Sequence, residues 1–437
     1  DAGSLEPGAY RSTITLSHTA PDSPEILPVS LLVASGGCGP QLGPWSTTTP
    51  LPIPSAAPFE NQRGGPLVFM NDYVYVFGGR NAGNFRLTEV YYSAIDADGT
   101  LGGWTETTSL PGEYGDHVEV RVGDYVYMLT GAAGATDVWY ALTHADGSLG
   151  SWMPTASLTP SRQDFAAAAH SEYIYASGGN SAGTWDAVQY AHVGPDGSLG
   201  GWAYTTPLPA PTEGHSMVAY DGYLYVLARD GSAYHAPLQG DGSVGSWHAT
   251  AALPGAMTSH AAFAYNDYVY LLDGGSPAVY YALILADHTL SPWQATAWRP
   301  GVRQAARVGG HNYFAYSLGG WDGAAYQGTV YYSPLQTLLS GMAIAGPALG
   351  ELATDYAFTA TTGPPTATQP IVFAWQASGL STLTGTGSTV TVRWETAGTK
   401  FITVTASNPA GPVWDRHRVF IRGSETPIYL PLIARDY

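Results

Sequence analysis

His117, His215 and His260 share one offset from a recurring tyrosine-rich segment, each lying eight positions before its first tyrosine. The matching positions in the other copies are Gly65, Phe165 and Ala305, and Arg63, Arg162 and Arg303 stand close by. Three imidazoles could ligate a metal only if their ring nitrogens converged to about 2.0–2.1 Å from one ion. The three copies that carry them, the second, fourth and fifth, are not in threefold relation. A structural or solvent-lining role is therefore expected, and no metal is assigned. A mixed ring of histidine and arginine at the rim of a central channel could instead hold a carboxylate or an anionic sugar. Arg63, His117, Arg162, His215, His260 and Arg303 are accordingly the candidate binding residues.

Other chemistries find less support. Asp116 and His117 form a dyad, and Arg162, Gln163 and Asp164 a polar group near it in register, yet no activated serine or cysteine accompanies either. Asp96, Asp98 and Gly99 look like the start of a calcium loop, but the remaining ligands and the terminal glutamate are missing. Paired carboxylates for glycoside hydrolysis meet through space, so the sequence leaves them open. Cys38 is the single cysteine, which forbids an intrachain disulfide; it reads as a buried or spectator thiol in a glycine loop. No catalytic residue, metal or cofactor is assigned, and a non-enzymatic chain is expected.

The elements that must position these residues repeat six times. Tyrosine-rich strands are expected at Asp72–Gly79, Asp124–Met128, Glu172–Tyr175, Gly222–Tyr225, Asp267–Tyr270 and Asn312–Tyr316. Each is followed by a short apolar-aromatic strand: Val90–Tyr92, Val138–Tyr140, Val188–Tyr190, Ala233–His235, Val279–Tyr281 and Val330–Tyr332. Trp45, Trp104, Trp152, Trp202, Trp247 and Trp293 complete the pattern, each preceded by Leu or Val three positions earlier. Their intervals of 59, 48, 50, 45 and 46 residues match the period of a four-stranded propeller blade. Asp-Gly pairs at 98–99, 146–147, 196–197 and 241–242 read as type I′ hairpin turns, with Asp287 and His288 the exception. The tryptophans read as wedges between blades.

Bulk composition agrees. Only 11% of the 437 residues are charged, whereas Gly (54), Pro (32) and Tyr (30) abound, which favours short strands and tight turns over helices. The net charge of −18 argues against nucleic acid or anionic lipid as partner and fits an exported protein. No apolar run reaches the length of a membrane span. The opening residues Asp1–Leu5 resemble neither an initiator nor a signal peptide, so a leader or upstream part is expected to have been removed.

The order of elements predicts how the blades close. The last tyrosine strand lacks a tryptophan strand after it, and the first tryptophan strand lacks a tyrosine strand before it. Trp45–Leu51 is therefore expected to complete the blade that begins near Arg303, removing open sheet edges. Residues 40–337 resemble the kelch-type β-propeller family through these linked motifs and the glycine pairs 78–79, 178–179, 274–275 and 319–320. Thr130–Gly131 and Ala228–Arg229 depart from that pattern. The resemblance implies a six-bladed β-propeller closed by an N-terminal strand, in an all-β chain, and says little of activity. A sialidase-type aspartate box is not matched by Asp98–Trp104, and the cysteine that kelch-fold copper oxidases link to a tyrosine has no counterpart in the blades.

Residues 338–423 read as a second domain with alternating strands at Asp355–Thr361, Ile371–Trp375, Thr389–Trp394, Phe401–Asn408 and Arg416–Ile421. Its size and strand count suit an immunoglobulin-like β-sandwich, and it resembles the PKD family of extracellular spacer modules. That resemblance implies an adhesive or spacing role outside the cell. Residues 1–39 resemble the final hairpin of a bacterial Ig-like domain, and residues 424–437 an aliphatic ending found on some exported bacterial proteins. A lone hairpin is marginal in water. Three readings remain: each terminus packs on its own subunit; the tail pairs with the hairpin of the next copy, giving a head-to-tail polymer; or the hairpin is the remnant of a cut domain. Tyr10, Ile14, Leu16, Val29, Leu31, Ile428, Tyr429, Leu430, Leu432 and Ile433 are the residues such an assembly would use. The expected partners are other copies of the chain, or an extracellular glycan or protein.

Overall fold

The structure is a computed structural model that describes residues 8–16, 25–33, 41–52, 65–81, 85–114, 117–131, 134–335, 339, 341–363, 371–380, 383, 387–408 and 411–423. Every regular element among them is a β-strand, and none of their segments is a helix long and apolar enough to cross a membrane. The chain divides into two compact units, Gln41–Leu335 and a second formed by Asp1–Pro40 with Gln336–Tyr437.

The first unit repeats one antiparallel four-stranded sheet. In the second copy Val118–Val122, Tyr125–Leu129, Val138–Leu142 and Met153–Thr155 lie side by side in sequence order. Four more sheets follow that plan, beginning at Val68, Ala166, Ser216 and Ala261. The sixth contains Arg307–His311, Phe314–Leu318 and Val330–Pro334, and Ser46–Thr48 pairs antiparallel with the last of these. Gly65–Pro66 runs parallel beside Arg307 and Val308. Such a series of sheets is consistent with propeller blades. Apolar side chains between neighbouring sheets supply the core, and the second tyrosine of each strand (Tyr75, Tyr127, Tyr175, Tyr225, Tyr270, Tyr316) is almost fully buried.

Three local expectations are corrected. The tryptophans do not lie on the outer strands but immediately precede them, as Trp152 does before Met153–Thr155, and five of the six are half-buried. The Asp-Gly turns are not type I′, because only their glycines have positive φ (Gly99 83°, Gly147 86°, Gly197 81°, Gly242 82°). The aspartate instead accepts the N–H of the residue two positions on, as Asp146 does from Ser148, and the glycine carries the left-handed step alone. Type I′ geometry occurs at the other hairpin of the blade, where Asn71–Asp72, Asp221–Gly222 and Asn266–Asp267 have both residues at positive φ. Asn312 and Tyr313 do the same (44° and 67°), so Tyr313 belongs to the turn and Phe314 opens the strand. The sixth copy is thereby shifted by one: Ala306, not Ala305, corresponds to His260.

In the second unit Gly8–Leu16 pairs antiparallel with Glu25–Val33 as a two-stranded sheet. Separately, Gly341–Ala345, Asp355–Gly363 and Thr389–Arg393 form a three-stranded sheet. Leu349–Glu351, Gly411–Arg422, Gly398–Asn408 and Val372–Ala377 form a four-stranded one. Strict alternation turns Phe358, Trp375, Trp394, Ile402, Val404, Val419 and Ile421 into one buried cluster between them.

Candidate functional site

Polar side chains of the first unit meet chiefly at the junctions between sheets. Each tryptophan indole N–H donates to the backbone carbonyl four residues past the preceding tryptophan. Trp104 donates to Thr49, Trp152 to Thr108, Trp202 to Ala156, Trp247 to Thr206 and Trp293 to Ala251, at 2.9–3.2 Å. Trp45 donates to Ala297 at 3.0 Å. The Leu or Val three positions before each tryptophan donates its backbone N–H to a threonine hydroxyl of the neighbouring sheet. Leu101 bonds Thr48, Leu149 Thr107, Leu199 Thr155, Val244 Thr205, Leu290 Thr250 and Leu42 Thr296, at 2.6–2.9 Å. The recurring Leu-x-x-Trp is thus a docking pair, and the partner threonine was not singled out from sequence although it recurs three residues after each tryptophan.

A third seam joins the tyrosines to the outer turns. Tyr75 Oη donates to Gly147 O at 2.7 Å, Tyr127 to Gly197 at 2.7 Å, Tyr225 to His288 at 3.1 Å and Tyr316 to Gly99 at 3.0 Å. Burial raises the Tyr75, Tyr127, Tyr225 and Tyr316 phenols above their ordinary values, which keeps the donor hydrogen in place.

The proposed binding ring is not at a channel rim. His117, His215, His260 and Arg162 are 1–3% exposed and Arg303 9%. In the histidine copies at 215 and 260 the preceding residue is left-handed (Gly214 60°, Ser259 61°), and each imidazole packs against the sheet before its own. His215 Nε2 and Ser177 Oγ are 2.8 Å apart, and His260 Nε2 donates to Leu227 O at 2.9 Å. Burial holds His260 below the ordinary imidazole value. Arg162 donates to Gln189 and to Gly178 O, lies over the Phe165 and Trp185 rings, and is lowered by burial to about 10. Arg303 donates to Val302 O and Tyr331 Oη. Each of these polar heads has an internal partner, so these five described side chains do not present an exposed ring to a carboxylate or sugar. Arg63, Cys38 and the tail residues Ile428, Tyr429, Leu430, Leu432 and Ile433 lie outside the described residues. Tyr10, Ile14, Leu16, Val29 and Leu31 fall on the paired terminal strands, with Tyr10 opposite Leu31 and Ser12 opposite Val29.

Sequence reasoning missed a buried ionic cluster. His117 Nδ1 contacts Glu119 Oε1, and Arg307 Nη2 meets Glu119 Oε2 at 2.5 Å, with Glu119 2% exposed. Burial works to raise the Glu119 carboxyl, but Arg307 and His117 hold it below its ordinary value. The cluster spans the second and sixth sheets past Gly65, where any Cβ would come within 2.5 Å of Arg307 Nη1. Arg299 is likewise buried and bonds Ser317 Oγ and the Asp273 and Arg303 carbonyls. No local motif betrays the Glu119–Arg307 pair, whose members lie on different sheets far apart in sequence, or the Arg299 contact with Ser317 of the next sheet.

A cavity of about 460 Å³ is lined by the innermost strands of all six sheets. Its walls are mostly Ala, Val, Gly and Phe, and the Phe69 and Phe263 rings lie over Gly309 and Gly310. Among the described residues no group of three or more His, Cys, Asp or Glu side chains is placed to hold a metal ion. Glu119 and Arg121 add charged groups to that lining.

No family model matches the chain, and no curated protein matches it. Among solved structures, one titled "Structure of YjhT" aligns with a TM-score of 0.50 at 15% identity, covering 68% of this chain and 98% of that one. At that identity the likeness speaks for the fold alone, and it agrees with the β-propeller-like arrangement of the first unit.

Proposed function

We propose that the chain is a non-enzymatic structural or adhesive protein of the cell exterior. In this reading a closed six-bladed propeller of kelch type is followed by a PKD-like, immunoglobulin-like sandwich. Copies join head to tail through their terminal strands into a filament or surface layer. Support for the scaffold comes from the seams: donors and acceptors at equivalent positions are consumed between sheets, and the buried His and Arg side chains bond internally. The observation that carries assembly is the terminal hairpin, whose strands pair as a sheet of two. Two strands alone are marginal in water, and among the described residues no further strand pairs with either, which leaves room for one from a second copy.

Electron microscopy and sedimentation of the full chain test this. Polymers that disappear on deleting Ile428–Tyr437 are expected. A monodisperse monomer with the tail intact at high concentration would overturn the reading. The alternative, a glycan- or protein-binding module built on Arg63, His117, Arg162, His215, His260 and Arg303, has less support, because the five of these that are described are buried.

A further inference from the structure

Charge is divided unevenly along the chain. Residues 41–335 carry 24 carboxylates against 9 arginines, whereas residues 341–423 carry 4 against 5 cations. Within the first unit the carboxylates are also gathered. The inner hairpin of each blade bonds the start of its outer turn, as Asp72 O does with Ile95 N and Asp124 O with Thr143 N, so both turns lie at one end of the sheet. Asp72, Asp124, Glu172, Asp221 and Asp267 project there from inner hairpins, joined by the outer-turn aspartates, and all are exposed. Hydroxyl and backbone N–H donors within the outer turns lower Asp98, Asp146, Asp196, Asp241 and Asp287, keeping that end ionised.

The sandwich offers the complementary surface. On its four-stranded sheet the outward positions of Gly411–Arg422 are Trp414, Arg416, Arg418, Phe420 and Arg422, all exposed. Phe401 lies opposite Arg418 on the next strand, Thr399 and Leu349 flank Phe420, and the Arg416 guanidinium sits 3.7 Å from the Phe401 ring centroid. Trp414, Phe420 and Leu349 are 46%, 47% and 55% exposed. Contact with the Phe401 ring restrains the Arg416 guanidinium, whose planar fork suits carboxylates, while the aromatic rings supply contact area.

We propose that this arginine–aromatic face docks onto the carboxylate-rich end of the propeller-like unit of a second copy. The inference rests on the reading that the chain self-associates, and adds a second, electrostatic contact independent of the terminal strands. Single exposed ion pairs contribute little. An array of them steers encounter and is screened by salt, whereas strand pairing is not.

Sedimentation velocity should be run on the full chain, and on the chain lacking Ile428–Tyr437, between about 20 mM and about 500 mM NaCl. The truncated chain is expected to keep a concentration-dependent association that weakens by about tenfold or more across that range. Arg416→Glu/Arg418→Glu should abolish it. Arg393→Glu/Lys400→Glu, which changes net charge equally but off this face, should not. Salt-independent association, or equal loss in both double variants, would overturn the proposal while leaving strand pairing standing. A chain that stays monomeric but binds an alginate matrix through Arg416 and Arg418 would also overturn it, in favour of an anionic polysaccharide. The salt series on unaltered protein decides the matter even if a variant misfolds.

Discussion

Trp45 Nε1 donates to the carbonyl oxygen of Ala297 at 3.0 Å, across 252 positions of sequence. Its geometry repeats that of the five contacts between consecutive sheets, and Leu42 N to Thr296 Oγ1 at 2.9 Å accompanies it as at every other junction. Under the closed-ring reading this junction is one of six equals. Trp45→Phe removes the donor but keeps most of the ring, and should cost about 1 kcal/mol by urea denaturation. Trp202→Phe should cost about the same. A silent Trp45→Phe beside a destabilising Trp202→Phe would mean that the first strand is only loosely held.

Glu119 and Arg307 make a second long-range tie, buried and charged. Removing one partner strands the other in a dry site, so Glu119→Ala should lose about 3–5 kcal/mol, while Glu119→Met/Arg307→Met should recover much of it. The pH dependence follows from the lowered Glu119 carboxyl. A depressed folded-state value contributes stability above the unfolded value, and that stability is lost as pH falls through the folded one. The gap between unaltered protein and Glu119→Gln should therefore be widest near neutrality and narrow under acid conditions, read from denaturant midpoints across pH.

The repeat was legible because its apolar and aromatic positions are local: tyrosine strands, Leu-x-x-Trp and Asp-Gly turns all fall within a blade. Ser46–Thr48 pairing with Val330–Pro334 was legible too, from elements missing at each end of the repeat. What the residues could not reveal was direction. An offset of eight places His260 beside the innermost strand, but the left-handed Ser259 decides that its ring points into the protein. Tyr313 misled the register of the sixth copy because a type I′ turn accepted it at positive φ, where three other copies use Asp72, Gly222 and Asp267. The Glu119–Arg307 pair has no local signature at all.

Buried His260 makes stability depend on pH nearer neutrality. Its folded-state value is depressed by burial, so the folded chain stays neutral there while the unfolded chain takes a proton near the ordinary imidazole value. Stability should be fully present above about pH 6.5 and decline below it. His235, also lowered by burial, adds to the same slope. His260→Gln should flatten the decline in urea midpoint between about pH 7.5 and about pH 5.5 without abolishing it. An unchanged slope would mean that His260 is protonated in the fold.

His288 stands where four other outer turns carry glycine, and its ring stacks on Tyr223 at 3.8 Å and 15°. In the glycine copies the same space is filled by the preceding sheet's aromatic ring: a Cβ on Gly197 would come within 2.6 Å of Tyr125 Cε1. Gly197 also has φ 81°, a conformation that costs a side chain about 1–2 kcal/mol. Gly197→Ala therefore meets strain and collision together, and should destabilise by at least about 2 kcal/mol. His288→Gly trades a stacked pair for relief of the left-handed strain at φ 62°. Those two effects are each about 1 kcal/mol and opposite in sign, so the substitution should be nearly neutral. Thermal or urea denaturation of the two variants side by side checks the pair. Equal losses would show that the turn's backbone, rather than the ring lying on it, sets which residue it accepts.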